Sequence, residues 1–128
     1  MPSDADDRSI LDSAQLLRRI HPDQVIDDKN TGAPRPSSGA FKDPEMSVDV
    51  ESMLEDIGLD WKFSLRQHPS HSLVRFSAGV ARKEDLKVVH KPIVGENDAH
   101  AEVIGKKSPG IANRLRDASS WVFIKKMG

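Results

Sequence analysis

The order of apolar and polar residues changes period several times along the chain, and each period predicts a different element. Alternation typical of a half-buried strand covers residues 61–65 and recurs over residues 73–80. Apolar stretches at 86–89 and 99–104 predict two further strands. Short extended pieces are expected on either side of residues 42–45, around 40–41 and 46–48. The pattern therefore predicts several short strands bounded by turns.

Two helices are indicated by apolar residues at helical spacing together with capping residues. The first is expected to begin at Asp49, a favoured N-cap residue, and to end at Gly58, a favoured C′ residue. Its apolar stripe comprises Val50, Met53, Leu54 and Ile57. The second begins at Ser108–Pro109, in the order of cap followed by proline. Its buried stripe is expected to comprise Ile111, Leu115, Ala118 and Val122.

Residues 9–20 allow two interpretations. Ser9 can cap a helix whose apolar stripe is Ile10, Ala14, Leu17 and His21. The run at 16–20 would also serve as a short strand. We favour a helix that ends near Ile20, because Pro22 disfavours helical geometry in the residue before it.

Short strands in groups, with helices between the groups, predict an α+β fold and not a repeating βαβ plan. We expect a single compact domain over residues 9–128. Its sheet should be mostly antiparallel, with about four to six short strands and two or three helices. The acidic, polar residues 1–8 are expected to form a disordered tail.

Composition excludes several classes of protein. The 128 residues include no cysteine, which rules out disulfides, thiolate chemistry and zinc sites with sulfur ligands and favours a cytoplasmic location. The acidic N-terminus is unlike a signal peptide, and no apolar run approaches the roughly 20 residues of a membrane-spanning helix. Nineteen basic and twenty acidic residues give a net charge of −1, which argues against general nucleic-acid binding. The absence of tyrosine also argues against a base-stacking surface.

Two polar loops, residues 27–38 and 91–98, are the leading candidates for a ligand cleft. Arg35 offers a planar fork that could clamp a phosphate or carboxylate. Ser37 and Ser38, which precede a glycine, could donate hydrogen bonds to the same anion. The alternative is that residues 36–39 form an ordinary turn in which the two serines have a structural role.

Two histidines are the candidates for proton transfer, because imidazole exchanges a proton near neutral pH. His21 precedes a proline and could instead cap a helix end. His100 lies between two alanines and could instead be a buried histidine with one satisfied nitrogen. The leading hypothesis is a domain that binds a phosphate-bearing, nucleotide-like anion, with transferase or hydrolase activity as its enzymatic version.

No cofactor and no metal are expected. The phosphate-binding loop, the dinucleotide-binding glycine motif and the nucleophile elbow are all missing from the sequence. His68 and His71 have a spacing that suits a metal, but a proline separates them and no third ligand is evident.

Four segments, at 18–22, 36–41, 46–49 and 99–101, carry short motifs in a fixed order along the chain. Together they resemble a family of small bacterial proteins with an HP…SxAF…(L/M)SVD…P…AHA pattern, over most of residues 16–122. That family has no established activity, so the resemblance implies a compact stand-alone domain. The positions that match its pattern are His21, Ser38, Phe41, Ser47, Asp49 and His100.

Two other functions remain open. The order of Arg19 or His21, then Ser37–Ser38, then Glu102 is similar to that of ADP-ribosyltransferases, which would make these the site residues. The chain departs from that family in its serine motif and in lacking a tyrosine to stack on nicotinamide. A non-catalytic protein-interaction module, of the toxin–antitoxin or phage-defence type, is the competing class. In that case the 27–38 loop would contact a protein partner.

Overall fold

A computed structural model describes residues 5–125 and confirms the α+β fold as one compact unit. The strands are β1 (Gln15–Ile20), β2 (Val25–Asp27), β3 (Pro34–Pro36), β4 (Glu45–Val50), β5 (Ser72–Ser77), β6 (Lys87–His90), β7 (His100–Ile104) and β8 (Ser120–Phe123). The α-helices are α1 (Glu51–Asp56), α2 (Ala78–Lys83) and α3 (Pro109–Ala118). Short 3₁₀ helices cover Pro22–Gln24, Ser38–Phe41 and Trp61–Leu65. Residues 1–4 of the expected tail and residues 126–128 of the expected domain lie outside the described part of the chain.

The six-stranded sheet has the order β6-β7-β4-β1-β5-β8, and every neighbouring pair is antiparallel. β2 and β3 form a separate two-stranded ribbon. The sheet therefore places β1 at its centre, between β4 and β5. Residues on β1 are flanked on both sides and covered on both faces.

The helix that we favoured for residues 9–20 is wrong, since the end of this stretch is the strand β1. Leu16 and Ile20 are buried on one face of the sheet, and Leu17 is buried on the other. A central strand that is covered on both faces does not show clean alternation, so its apolar residues also fit a helical stripe. Residues 15–20 form a strand because they pair with β4 on one side and β5 on the other.

Residues 61–65 form a 3₁₀ helix where alternation predicted a strand. Asp60 caps it, with its Oδ1 accepting a hydrogen bond from the Lys62 amide at 2.9 Å. The run expected over 73–80 likewise stops at Ser77, whose Oγ accepts from the Val80 amide and opens α2. Local side-chain caps therefore override alternation that extends over only a few residues.

Of the two predicted helices, the second is the closer match. Ser108 caps α3 as expected, with its Oγ accepting from the Ile111 amide, but Val122 lies beyond the helix on β8. Asp49 is not an N-cap. It lies within β4, and Val50 takes the N-cap position of α1 without a side-chain hydrogen bond.

Two apolar clusters cover the two faces of the sheet. The larger one packs α2, α3 and the Ser38–Phe41 turn against the sheet, with the rings of Phe41 and Phe76 fully buried 6.2 Å apart. The smaller one packs α1 and the 61–65 segment on the other face, around Leu17 and Leu54. Because consecutive strand residues point to opposite faces, Arg18 reaches toward the larger cluster and Arg19 toward the smaller one.

The first described residues are held against the domain. The Asp7 amide donates to the Val88 carbonyl, and Asp6 Oδ1 accepts from the Val88 amide. Arg82 donates to Asp6 Oδ1, to Asp12 Oδ1 and to the Asp7 carbonyl. Residues 6 and 7, which the sequence analysis placed in the tail, are therefore attached to β6 and α2.

Lys107 is a buried lysine three residues after the end of β7. Its side chain extends back along the chain, and Nζ donates to the carbonyls of Val103 at 2.8 Å and Gly105 at 3.0 Å. Burial lowers the pKa of Lys107 to about 8, although the carboxylate of Asp43 acts in the opposite direction. The folded protein thus releases this proton at a lower pH than the unfolded chain does.

We expect the free energy of unfolding to rise between about pH 8 and pH 10.5, because the unfolded chain keeps the Lys107 proton there and the folded one does not. The rise should be about 1–3 kcal/mol after solvent screening. Below pH 8 both states are protonated, and this contribution is constant. Urea unfolding at a series of pH values measures it. Lys107→Met should abolish the rise and the exposed Lys106→Met should keep it, whereas parallel profiles for all three proteins would contradict the assignment.

Candidate functional site

The loops 27–38 and 91–98 lie at opposite ends of the sheet and do not form the expected shared cleft. β1 and β7 both pair antiparallel with β4, so they run in the same direction. His21 follows the end of β1, whereas His100 is the first residue of β7. The two candidate histidines are therefore far apart along the strand direction, with β4 between their strands.

His100 and Glu102 lie on β7 with their side chains beside Lys91. His100 Nδ1 is 2.8 Å from the Lys91 carbonyl oxygen, which makes this nitrogen the protonated one. Glu102 Oε1 is 3.2 Å from Lys91 Nζ. These contacts connect the 91–98 loop to β7, which is a structural role for both candidates.

Ser37, Ser38 and Arg35 belong to the ribbon and the turn that follows it. Ser37 Oγ accepts from the Gly39 amide at 3.1 Å and caps the turn that Ser38 begins. Arg35 Nε is buried without a hydrogen bond in the described chain, and its nearest carboxylate oxygen is on Asp28 at 3.9 Å. The turn that these serines begin packs on the face of the sheet that carries the larger cluster, whereas Arg19 faces the smaller one, so the ADP-ribosyltransferase-like set is not on one face.

Three histidines do come together, and only one of them was predicted as a site residue. The rings of His21 and His71 have centroids 5.2 Å apart, and those of His68 and His71 are 5.0 Å apart. Both pairs are edge-to-face, with interplanar angles of 86° and 66°. We call His21, His68 and His71 the histidine cluster.

The register between β1 and β5 builds this cluster. Ile20 pairs with Ser72, and one more residue along the two chains places His21 opposite His71. The turn before β5 then brings His68 back, since the His71 amide donates to the His68 carbonyl at 3.0 Å. The sequence contained this signal, but it could be read only if residues 16–20 had been paired as a strand with residues 72–77.

Two arginines lie close to the histidine cluster. Arg19 Nη1 donates to the Ser64 carbonyl at 3.3 Å, and no carboxylate within residues 5–125 lies within 4.0 Å of its guanidinium. Burial lowers the pKa of Arg19, with Asp49 opposing the shift and Arg66 adding to it. Arg66 is more exposed, stacks 3.7 Å above the Phe63 ring and is 4.0 Å from Glu96.

The charges of these arginines act on the histidines. Burial lowers the pKa of His68, the charges of Arg19 and Arg66 lower it further, and Asp49 opposes them. Burial also lowers the pKa of His71, followed by the effects of His68, His21 and Arg19. Both imidazoles are therefore neutral at pH 7 and available to donate or accept a proton.

Asp49 is the centre of a buried hydrogen-bond network next to Arg19. It is only 3% exposed and accepts hydrogen bonds from Ser64 Oγ at 2.5 Å and from Asn97 Nδ2 at 2.8 Å. Asn97 Oδ1 in turn accepts from the Ala99 amide. Because the Ser64 carbonyl accepts from Arg19, this buried network positions the guanidinium. No local sequence pattern predicts this network, since Asp49, Ser64 and Asn97 are far apart along the chain.

An apolar pocket adjoins the histidine cluster. It has a volume of about 270 Å³ and shares His68 and His71 with the cluster. Its other walls are formed by Trp61, Lys62, Leu65, Pro69 and Phe123. The rings of Trp61 and Phe123 are stacked, with centroids 5.7 Å apart and planes 25° apart. We call this the aromatic pocket.

Within residues 5–125, no group of three or more histidine, aspartate or glutamate side chains is arranged to hold a metal ion. In the same part of the chain, no helix has the length and apolar character needed to cross a membrane. The chain matches no protein-family model, no curated protein and no solved structure.

Proposed function

We propose that this protein binds a small anion, a phosphate or carboxylate group of a larger molecule, at the histidine cluster together with Arg19 and Arg66. The observation that carries the proposal is the guanidinium of Arg19, which is half-buried and has no carboxylate partner in the described chain. Removing a cation from water is costly, the charge of Asp49 offsets this cost only in part, and a bound anion would offset more of it.

The surrounding groups suit an anionic ligand. Arg19 and Arg66 present planar forks that can meet two oxygens of a phosphate or carboxylate. His68 and His71 are neutral at pH 7 and could each donate one ring N–H. If the ligand is a substrate for transfer or hydrolysis, proton movement would fall to the histidine cluster and not to His100.

Inorganic phosphate and methyl phosphate are suitable first probes, with binding measured by calorimetry at low ionic strength. Arg66→Gln is the main variant, because Arg66 is exposed and its loss should leave the fold intact. We expect affinity to fall about 10-fold or more, as for the loss of a charge-assisted hydrogen bond. Arg114→Gln is the matched control, since Arg114 is exposed on α3 and pairs with Glu84.

A histidine titration by NMR gives a second measurement. Burial lowers the pKa of both His68 and His71, and arginine charges lower it further: those of Arg19 and Arg66 for His68, and that of Arg19 for His71. A bound anion opposes these charges and should therefore raise the pKa of both histidines. His90 and His100, which lie on β6 and β7 away from the cluster, are internal references. Unchanged titration of all five histidines at saturating phosphate would overturn the proposal.

A further inference from the structure

We infer that the ligand carries a planar ring, and that this ring enters the aromatic pocket while the anionic group is held at the histidine cluster. The inference depends on the proposed function and names the class of ligand, an aryl or heteroaryl phosphate or carboxylate. Its basis is that one set of imidazoles serves both places, since His68 and His71 line the pocket and belong to the cluster.

The walls of the pocket suit a flat, apolar group. Trp61 and Phe123 bring two aromatic rings to one side, and the apolar surfaces of Leu65 and Pro69 complete the lining. Aromatic rings favour offset stacking on other rings. Phe123 is 36% exposed, so part of its ring surface is accessible to a ligand in the pocket.

The size of the pocket limits what it accepts. Pockets that enclose a whole drug-sized ligand measure roughly 300–1,000 Å³, and this one is about 270 Å³. It suits one ring system and leaves the charged group outside, next to His68 and His71. Lys62 Nζ lies at the rim, 5.9 Å from the centroid of the Trp61 ring and 3.9 Å from Asp60 Oδ2.

This arrangement revises an expectation from the composition. The lack of tyrosine argued against a base-stacking surface, but the fold brings Trp61 and Phe123 together from positions 62 residues apart in sequence. The 3₁₀ helix at Trp61–Leu65 makes this possible, because it places Trp61 and Leu65 in the same pocket wall.

The test compares methyl phosphate with phenyl phosphate, which carry the same anionic group and differ in the ring. We expect phenyl phosphate to bind about 10-fold more tightly or better, from stacking on the pocket wall. Trp61→Leu should bring the ratio of the two affinities close to one and leave methyl phosphate binding unchanged. Phe123→Leu should also lower the ratio of the phenyl phosphate affinity to the methyl phosphate affinity. Trp121→Leu is the matched control, because Trp121 is the other tryptophan of the chain and does not line the pocket.

Tryptophan fluorescence locates the ring. In a Trp121→Phe background the signal comes from Trp61 alone, since the chain has two tryptophans. We expect phenyl phosphate to change this signal and methyl phosphate to leave it unaltered. Equal affinities for the two phosphates, or tight binding of phenyl phosphate without a change at Trp61, would overturn the inference and leave the proposed function standing. If neither phosphate binds, the proposed function itself fails.

Discussion

Replacing Asp49 with alanine is expected to lower the free energy of unfolding by about 3–5 kcal/mol, the largest effect of any single polar substitution that we foresee. Asp49 is 3% exposed and accepts from both Ser64 Oγ and Asn97 Nδ2. Alanine would leave these two donors buried without an acceptor, and each such group carries its own desolvation cost. Urea unfolding followed by circular dichroism measures the difference.

Two further variants separate the contributions. Asp49→Asn keeps the shape and one acceptor oxygen, so we expect a smaller loss, about 1–3 kcal/mol. Asp56→Ala, at an exposed position of α1, should change stability by no more than about 0.5 kcal/mol. A stability of Asp49→Ala within about 1 kcal/mol of the wild type would contradict the network.

Replacing Arg82 with glutamine is expected to lower the free energy of unfolding by about 2–4 kcal/mol. The Arg82 side chain is only 10% exposed, and its guanidinium donates to Asp6 at 3.1 Å, Asp12 at 2.7 Å and the Asp7 carbonyl at 2.9 Å. Glutamine cannot serve three acceptors in three directions. Arg8→Gln is the control, because Arg8 is 70% exposed and makes one bond to Asp6, for which we expect less than about 1 kcal/mol.

The same substitution should change the response to acid. Burial alone would raise the pKa of Asp6, but the Val88 amide and the two arginines, Arg8 and Arg82, lower it on balance. Stability from Asp6 is therefore present above the ordinary carboxyl pKa and is lost as the pH falls through the lowered value. In Arg82→Gln this acid-dependent loss should be smaller. Hydrogen exchange at the Asp7 and Val88 amides reports the same event locally, and unchanged exchange in the variant would contradict it.

The elements that could be predicted from the sequence are those with local signals. α3 has a serine cap and a proline at its start, and the strand at 99–104 has an uninterrupted apolar run. The sequence also predicts the helix near residues 50–57, but with its N-cap one residue too early. Asp49 is a favoured N-cap residue in isolation, whereas in the fold its carboxylate accepts a hydrogen bond from Ser64 Oγ. Local chemistry therefore predicted the position of these elements but not the environment of each side chain.

The candidate site required information that no local pattern contains. His21 meets His71 only because β1 pairs with β5 in one register, and β1 itself was predicted as a helix. Arg19 is a candidate from the sequence that also lies close to the histidine cluster, but its surroundings come from the turn at 61–66 and from Asp49. Of the two serines in the predicted anion site, Ser37 caps the turn that follows the ribbon, with its Oγ accepting from the Gly39 amide. Which of the candidate residues lie close together therefore depends on long-range strand pairing and not on residue type.

The attachment of residues 6 and 7 to β6 has a consequence for self-association. β6 is an outer strand of the sheet, and such strands expose unpaired backbone groups that can recruit a strand from another molecule. Here both backbone groups of Val88 are occupied, one by the Asp7 amide and one by the Asp6 carboxylate. The segment before β1 therefore blocks this edge at its centre. A strand from a second copy would have to displace both contacts, and protonation of Asp6 would weaken only the one made by its carboxylate.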